Sequence, residues 1–212
     1  MKSLCVVWAF GVMVALQCTL LAAQRGQANL TVDAAISNLT DPNQLTRWNA
    51  ARALREMGER AGVSVPALVN AIGADASVDV RVEAVLALGS IGKGSPAAVE
   101  ALAKIVPKRD TVISAWAVIA LGDSGIGAKE AVPTIVKYLE SATGSEEVIV
   151  ATITLGRIGP AARQAVPTLE KHLSDTRVVP EWGDIAREAR KAIDLILKND
   201  RRDQTELSAG GS

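Results

Sequence analysis

Gly122-Asp123-Ser124-Gly125 is a setting in which serine proteases hold their nucleophile, so Ser124 is the first residue to weigh for chemistry. A serine hydroxyl attacks only beside a base that takes its proton, and in trypsin-like enzymes that base is a histidine earlier in the chain. The single histidine here, His172, comes after Ser124. It stands between Lys171 and Leu173 with no neighbours at metal-ligand spacing, and reads as a solvated surface side chain. Glu146-Glu147 and the pair Asp75 and Asp79 could serve as acid–base carboxylates. Each stands where a helix should start, however, and negative charge there complements the helix dipole. No catalytic residue, cofactor or metal ion is expected, and the protein reads as a non-enzyme.

Ser124 is explained instead by a repeat. The stretches from Ala53, Ala87, Ala120 and Thr154 align without gaps. Leu54, Leu88, Leu121 and Leu155 follow one another at intervals of 34, 33 and 34 residues; Gly58, Gly92, Gly125 and Gly159 do the same, as do Val65, Val99, Val132 and Val166. Ser124 thus occupies the slot in which neighbouring units carry Ile91 and Ile158. A fifth, diverged unit starts near Arg187, displaced by an insertion around Val178-Val179-Pro180-Glu181-Trp182-Gly183.

Each unit has two apolar-periodic segments separated by polar turn residues and no alternating run that would favour a strand. The spacing predicts helical hairpins. Pro66, Pro133 and Pro167 open the first helices, where a missing N–H costs nothing. Leu68 and Ile72, Ile135 and Leu139, and Leu169 and Leu173 then recur at i, i+4. The glycine after each second helix is expected to end it in the left-handed conformation. A single all-α, right-handed α-solenoid of about five hairpins follows, spanning residues 33–198, with a polar, disordered tail at 199–212.

At these positions the chain resembles the HEAT repeats of the phycobilisome-lyase type: a helix-starting proline, a leucine two residues on, a Val80-Arg81 pair, Ala84, then Ala87-Leu88-Gly89. The Val-Arg pair is not kept throughout. Thr46 precedes Arg47, and Ser114 and Val148 stand at the place of Arg81. The resemblance implies a protein-interaction scaffold. Some members of such families act as chromophore lyases on linear tetrapyrroles or bind iron as hydroxylases; the iron-dependent kind uses several His-Glu pairs, which a lone His172 before Leu173 does not supply.

Residues 1–23 differ from the rest. Lys2 is their only charge, Leu4 to Leu21 is nearly all apolar, and Leu21-Ala22-Ala23 offers small residues for cleavage. They read as a signal peptide or, at the lower limit of length, a membrane anchor, followed by a linker at 24–32. The protein is accordingly expected to be secreted or periplasmic. The lyase kind acts in the cytoplasm, which such a leader contradicts. Both cysteines, Cys5 and Cys18, lie in this segment, so the mature chain has no thiol for a disulfide or a metal. Without Lys2, 22 basic residues face 23 acidic ones with no strong clustering of either sign, which argues against nucleic acid and against a membrane contact beyond the leader.

A partner surface is sought where second helices stay apolar away from the core. At 100° per residue, Val80, Ala84, Ala87, Leu88 and Ile91 share the core face of one second helix, and Val82, Glu83, Leu86 and Ser90 point elsewhere. The equivalent outward positions are Trp48, Asn49, Arg52 and Glu56; Ala115, Trp116, Ile119 and Asp123; and Ile149, Val150, Ile153 and Arg157. Either neighbouring helices shield these side chains, or they form a groove for a protein or peptide on the concave side. The groove would centre on Trp116, flanked by Val82, Leu86, Ile119, Ile149 and Ile153, with Trp48 further along; Trp182 either joins it or closes the last unit's core. A cofactor-handling or lyase-type protein and a self-associating envelope module are the alternatives to such a scaffold.

Overall fold

The computed structural model describes residues 31–107, 111–180 and 182–209. The expected leader and nearly all of the linker lie outside them. The elements are α1 (Val32–Asn38), α2 (Gln44–Met57), α3 (Val65–Ala74), α4 (Val78–Ile91), α5 (Pro96–Ile105), α6 (Thr111–Asp123), α7 (Val132–Ser141), α8 (Ser145–Ile158), α9 (Val166–Glu170), β1 (Val178–Val179), β2 (Gly183–Asp184) and α10 (Ile185–Ala209). Odd-numbered helices are the first of each pair and even-numbered ones the second. Each second helix packs on its own first helix and on the second helices before and after it, so α2, α4, α6, α8 and α10 form one continuous layer. This is the α-solenoid that the repeat predicted.

Local chemistry sets the helix starts. The Thr31 hydroxyl accepts from the Ala34 N–H at 3.2 Å, and the Asn43 side chain accepts from the Leu45 N–H at 2.8 Å, each supplying a bond that the first turn cannot make internally. Prolines stand in the first turn of α3, α5, α7 and α9. The core then follows the repeat: Leu54, Leu88, Leu121 and Leu155 are fully buried at equivalent places in successive units.

Three of the four connections back to the next first helix are 3₁₀ segments, Gly58–Ser64, Gly125–Ala131 and Gly159–Ala165, and the fourth, between Ile91 and Pro96, is a turn. Their Ala61, Ala128 and Ala162 are buried, which ties each turn into the core. Gly58 and Gly159 adopt φ/ψ of 56/−132° and 72/−140°, a region from which a Cβ is excluded. Gly92 departs from this expectation. Its φ is −61°, and the residue is small for another reason: a Cβ there would run into the Ser124 side chain of the next unit.

The fifth unit differs most from its sequence reading. α9 ends at Glu170, so His172 and Leu173 lie in the turns after it rather than on the helix. The insertion that follows forms a two-stranded antiparallel ladder, pairing Val178 with Asp184 and Val179 with Gly183, with Gly183 at φ 97°. β1 packs on α8. Beyond it α10 continues past Lys198 to Ala209 where a disordered tail was expected. Residues 199–209 contain neither Pro nor Gly, and nothing in that stretch opposes helix propagation.

Candidate functional site

Helix α6 has no charged residue between Thr111 and Gly122 because it is enclosed on three sides, by α4, α8 and α5. Ile113, Ser114, Ala117, Val118, Ala120 and Leu121 are all buried there. The fourth side stays open. Val112, Ala115, Trp116 and Ile119, at i, i+3, i+4 and i+7, form one stripe and line a pocket of about 750 Å³. Across the groove, Glu146, Glu147 and Val150 of α8 face this stripe, and Val178, Val179, Pro180 and Trp182 of the insertion form the remaining wall. Val112 and Val178 are half or more exposed, and Trp182 retains 41% of its surface.

The polar rim belongs to the start of α8. Glu147 turns back and accepts from the N–H groups of Thr143 and Gly144, both at 3.1 Å, so the positive end of that helix is already occupied. Glu146 is exposed beside it. Behind the rim, burial, reinforced by the charge of Glu147, pushes the Tyr138 hydroxyl up to about 12, which keeps it neutral.

The structure therefore gathers three of the anticipated residues, Trp116, Ile119 and Trp182, into one pocket, and leaves the others out. Trp182 sits on its wall instead of closing the last core. Ile149 is corrected outright: it is fully buried, on a helix against which both β1 and α10 pack. Val82 and Ile153 are partly buried against the core, Leu86 is half-buried, and none of the three lines the pocket. The Trp48 ring is covered by the Arg52 guanidinium, 5.3 Å from its centre.

Glu83 is a second correction. Expected to point outward, it is 6% exposed, and Arg55 of the preceding unit stands 3.1 Å from its Oε1. The contact is a charge pairing without hydrogen-bond geometry, since that oxygen makes no hydrogen bond. Burial accordingly holds the Glu83 carboxyl above its usual range despite Arg55. Sequence reasoning also missed Val112, Val150, Val178 and Val179 as pocket residues and took Glu146 and Glu147 as helix-start charges alone. For Val112, Val150 and Glu146 the signal was the repeat position, since Val112 and Glu146 are equivalents, as are Trp116 and Val150; Val178 and Val179, in the insertion, carried none.

The remaining candidates for chemistry make contacts within the fold. Ser124 is buried, and its hydroxyl is shared between the carbonyls of Gly89 at 3.1 Å and Ala120 at 3.2 Å. His172 is only partly exposed, not fully solvated, with Nδ1 3.6 Å from Asp175 Oδ2. Asp75 is held below the usual carboxylate range chiefly by Arg47 of the preceding unit, which grips it at 2.6 and 3.0 Å, and it also accepts from the Ser77 N–H. Among the described residues no cluster of three His, Cys, Asp or Glu side chains could hold a metal ion, and no helix is long and apolar enough to cross a membrane.

Residues 32–122 match the family model for HEAT repeats. Among solved structures, the chain is similar to one in the complex of CpcE and CpcF of phycocyanin lyase from Nostoc sp. PCC7120, with a TM-score of 0.63 and 24% identity, over 80% of this chain and 66% of that one. It is also similar to an engineered protein, with a TM-score of 0.52 and 24% identity over 78% of each chain. Comparison with curated proteins gives no match. Together these findings support HEAT repeats over residues 32–122 and, for the chain as a whole, the helical-solenoid fold that the resemblance in sequence implied.

Proposed function

We propose that this HEAT-repeat scaffold binds a protein or peptide non-covalently on the exposed side of its second-helix layer, at the pocket between α6, α8 and the insertion. The observation that carries the reading is the meeting of Trp116 and Trp182, far apart in sequence, in one open apolar pocket. Tryptophan is a recurrent hot-spot residue, because one rigid ring covers a large area at little entropic cost. The pocket is built on packed helices, so little ordering entropy is lost on docking. Export belongs to the same proposal and rests on the apolar run from Leu4 to Leu21.

The test is quantitative capture of partners from the exported fraction by the natural protein and by Trp182→Ala and Trp116→Ala. Both substitutions should weaken capture by about ten-fold or more; melting should fall far less for the exposed Trp182→Ala than for a core substitution, whereas Trp116, partly packed against the core, should cost more. Unchanged capture by both variants rejects the reading. The likeness to a phycocyanin lyase complex favours a second reading, in which a pigment occupies the pocket; visible absorbance in the protein purified from its natural source distinguishes the two.

A further inference from the structure

We propose that the pocket takes a cationic side chain, lysine or arginine, that a partner polypeptide presents next to an apolar residue. The proposal rests on the partner-binding reading above and adds the chemistry of what is bound. Of the described residues that line the pocket, none is Lys, Arg or His, while Glu146 and Glu147 are both carboxylates. Neither forms an ion pair among the described residues. The helix N-terminus beside them does not reverse the sign: its partial positive charge is about half a unit, and Glu147 already caps it. The described lining of the pocket therefore favours positive charge.

The aromatic walls point the same way. Tryptophan faces attract cations, and the chain shows the pairing in its first unit, where Arg52 lies over Trp48 one turn away. In the third unit the residue one turn after Trp116 is Ala120, so the local pairing seen at Trp48 is not repeated there. Lys and Arg also suit a site of this composition. Their alkyl stems lie along apolar surface such as Val112, Ile119 and Val150, while the charged head reaches a carboxylate at the rim. A volume of about 750 Å³ leaves room for the neighbouring apolar side chain.

Three labelled peptides of equal length, alternating leucine with lysine, with glutamate or with serine, are titrated into the full-length protein at two salt concentrations. The lysine peptide should bind about ten-fold or more tightly than the glutamate peptide, and more weakly at high salt. Glu146→Gln, at an exposed position, should reduce the preference by about three- to five-fold with an unchanged circular dichroism spectrum. Trp182→Ala should weaken the lysine peptide and leave the same fold. Equal binding of all three peptides, lost in Trp116→Ala and Trp182→Ala, overturns the cation specificity and leaves the partner groove standing. Preference for the glutamate peptide overturns it as well. Failure of every peptide to bind counts against both readings.

Discussion

Gly89 of α4 lies directly against Ala120 of α6: a Cβ built on Gly89 would stand 2.8 Å from the Ala120 carbonyl oxygen and 2.9 Å from its Cα. The same contact recurs between Gly156 of α8 and Ala192 of α10, with 2.9 Å to the Cα. Gly89 and Gly156 are thus there for space, letting successive second helices touch backbone to backbone. Gly89→Ala should destabilise the protein by about 1–3 kcal/mol, since the obstructing atoms are backbone and Cβ and cannot swing aside. Gly73→Ala, in α3 with nothing near its missing Cβ, should instead be neutral or stabilise by up to about 1 kcal/mol. Paired denaturant titrations of the two variants check both signs.

Leu121→Ala removes a fully buried side chain at the centre of the array and should cost about 2–5 kcal/mol, read from the shift in urea midpoint at constant slope. Trp182→Ala, exposed on the pocket wall, should shift the midpoint far less.

Glu83 makes stability depend on pH in a direction opposite to most carboxylates. Its folded pKa is raised, first by burial, so the folded state is favoured while the carboxyl is protonated and loses stability as pH rises through that value. Glu83→Gln should therefore melt at or above the natural protein at pH 7, with the difference shrinking towards pH 4. A lower melting temperature at pH 7 would mean that the Arg55 charge is worth more than the burial penalty.

Asp175 behaves in the usual sense. Hydrogen bonds from Arg177, foremost among its contacts, hold its carboxyl down at about 2, with His172 adding to the effect. The stabilisation is fully present above about pH 4 and is lost as pH falls towards 2. Trp182 fluorescence, on the ladder that follows this turn, should report loosening of the insertion in that window, and Asp175→Asn, which has no carboxyl to titrate, should show the loosened signal already at neutral pH with no further change on acidification.

The repeat, the core and the character of Ser124 could be read from spacing, because a unit that recurs every 33 or 34 residues must place equivalent side chains in equivalent environments. That logic reached Leu54, Leu88, Leu121 and Leu155, and it singled out Trp116. It failed wherever a unit's surroundings differ from its neighbours'. Ile149 shares a repeat position with Val82 and Trp48, yet of the three only Ile149 is fully buried, on the helix that the insertion and α10 pack against. Glu83 shares one with Trp116, yet only Glu83 meets an arginine from the unit before it.

By itself the sequence determined the period, the helical hairpins and the apolar stripe on α6, since these follow from residue type and local geometry. Only the tertiary structure decided which part of that stripe stays open and what faces it. Pocket walls come from segments distant in the chain: α6, the start of α8 and a ladder after α9 that no repeat register describes. Their convergence depends on how the last unit folds back on the array, a relation set by long-range packing and not by any local pattern.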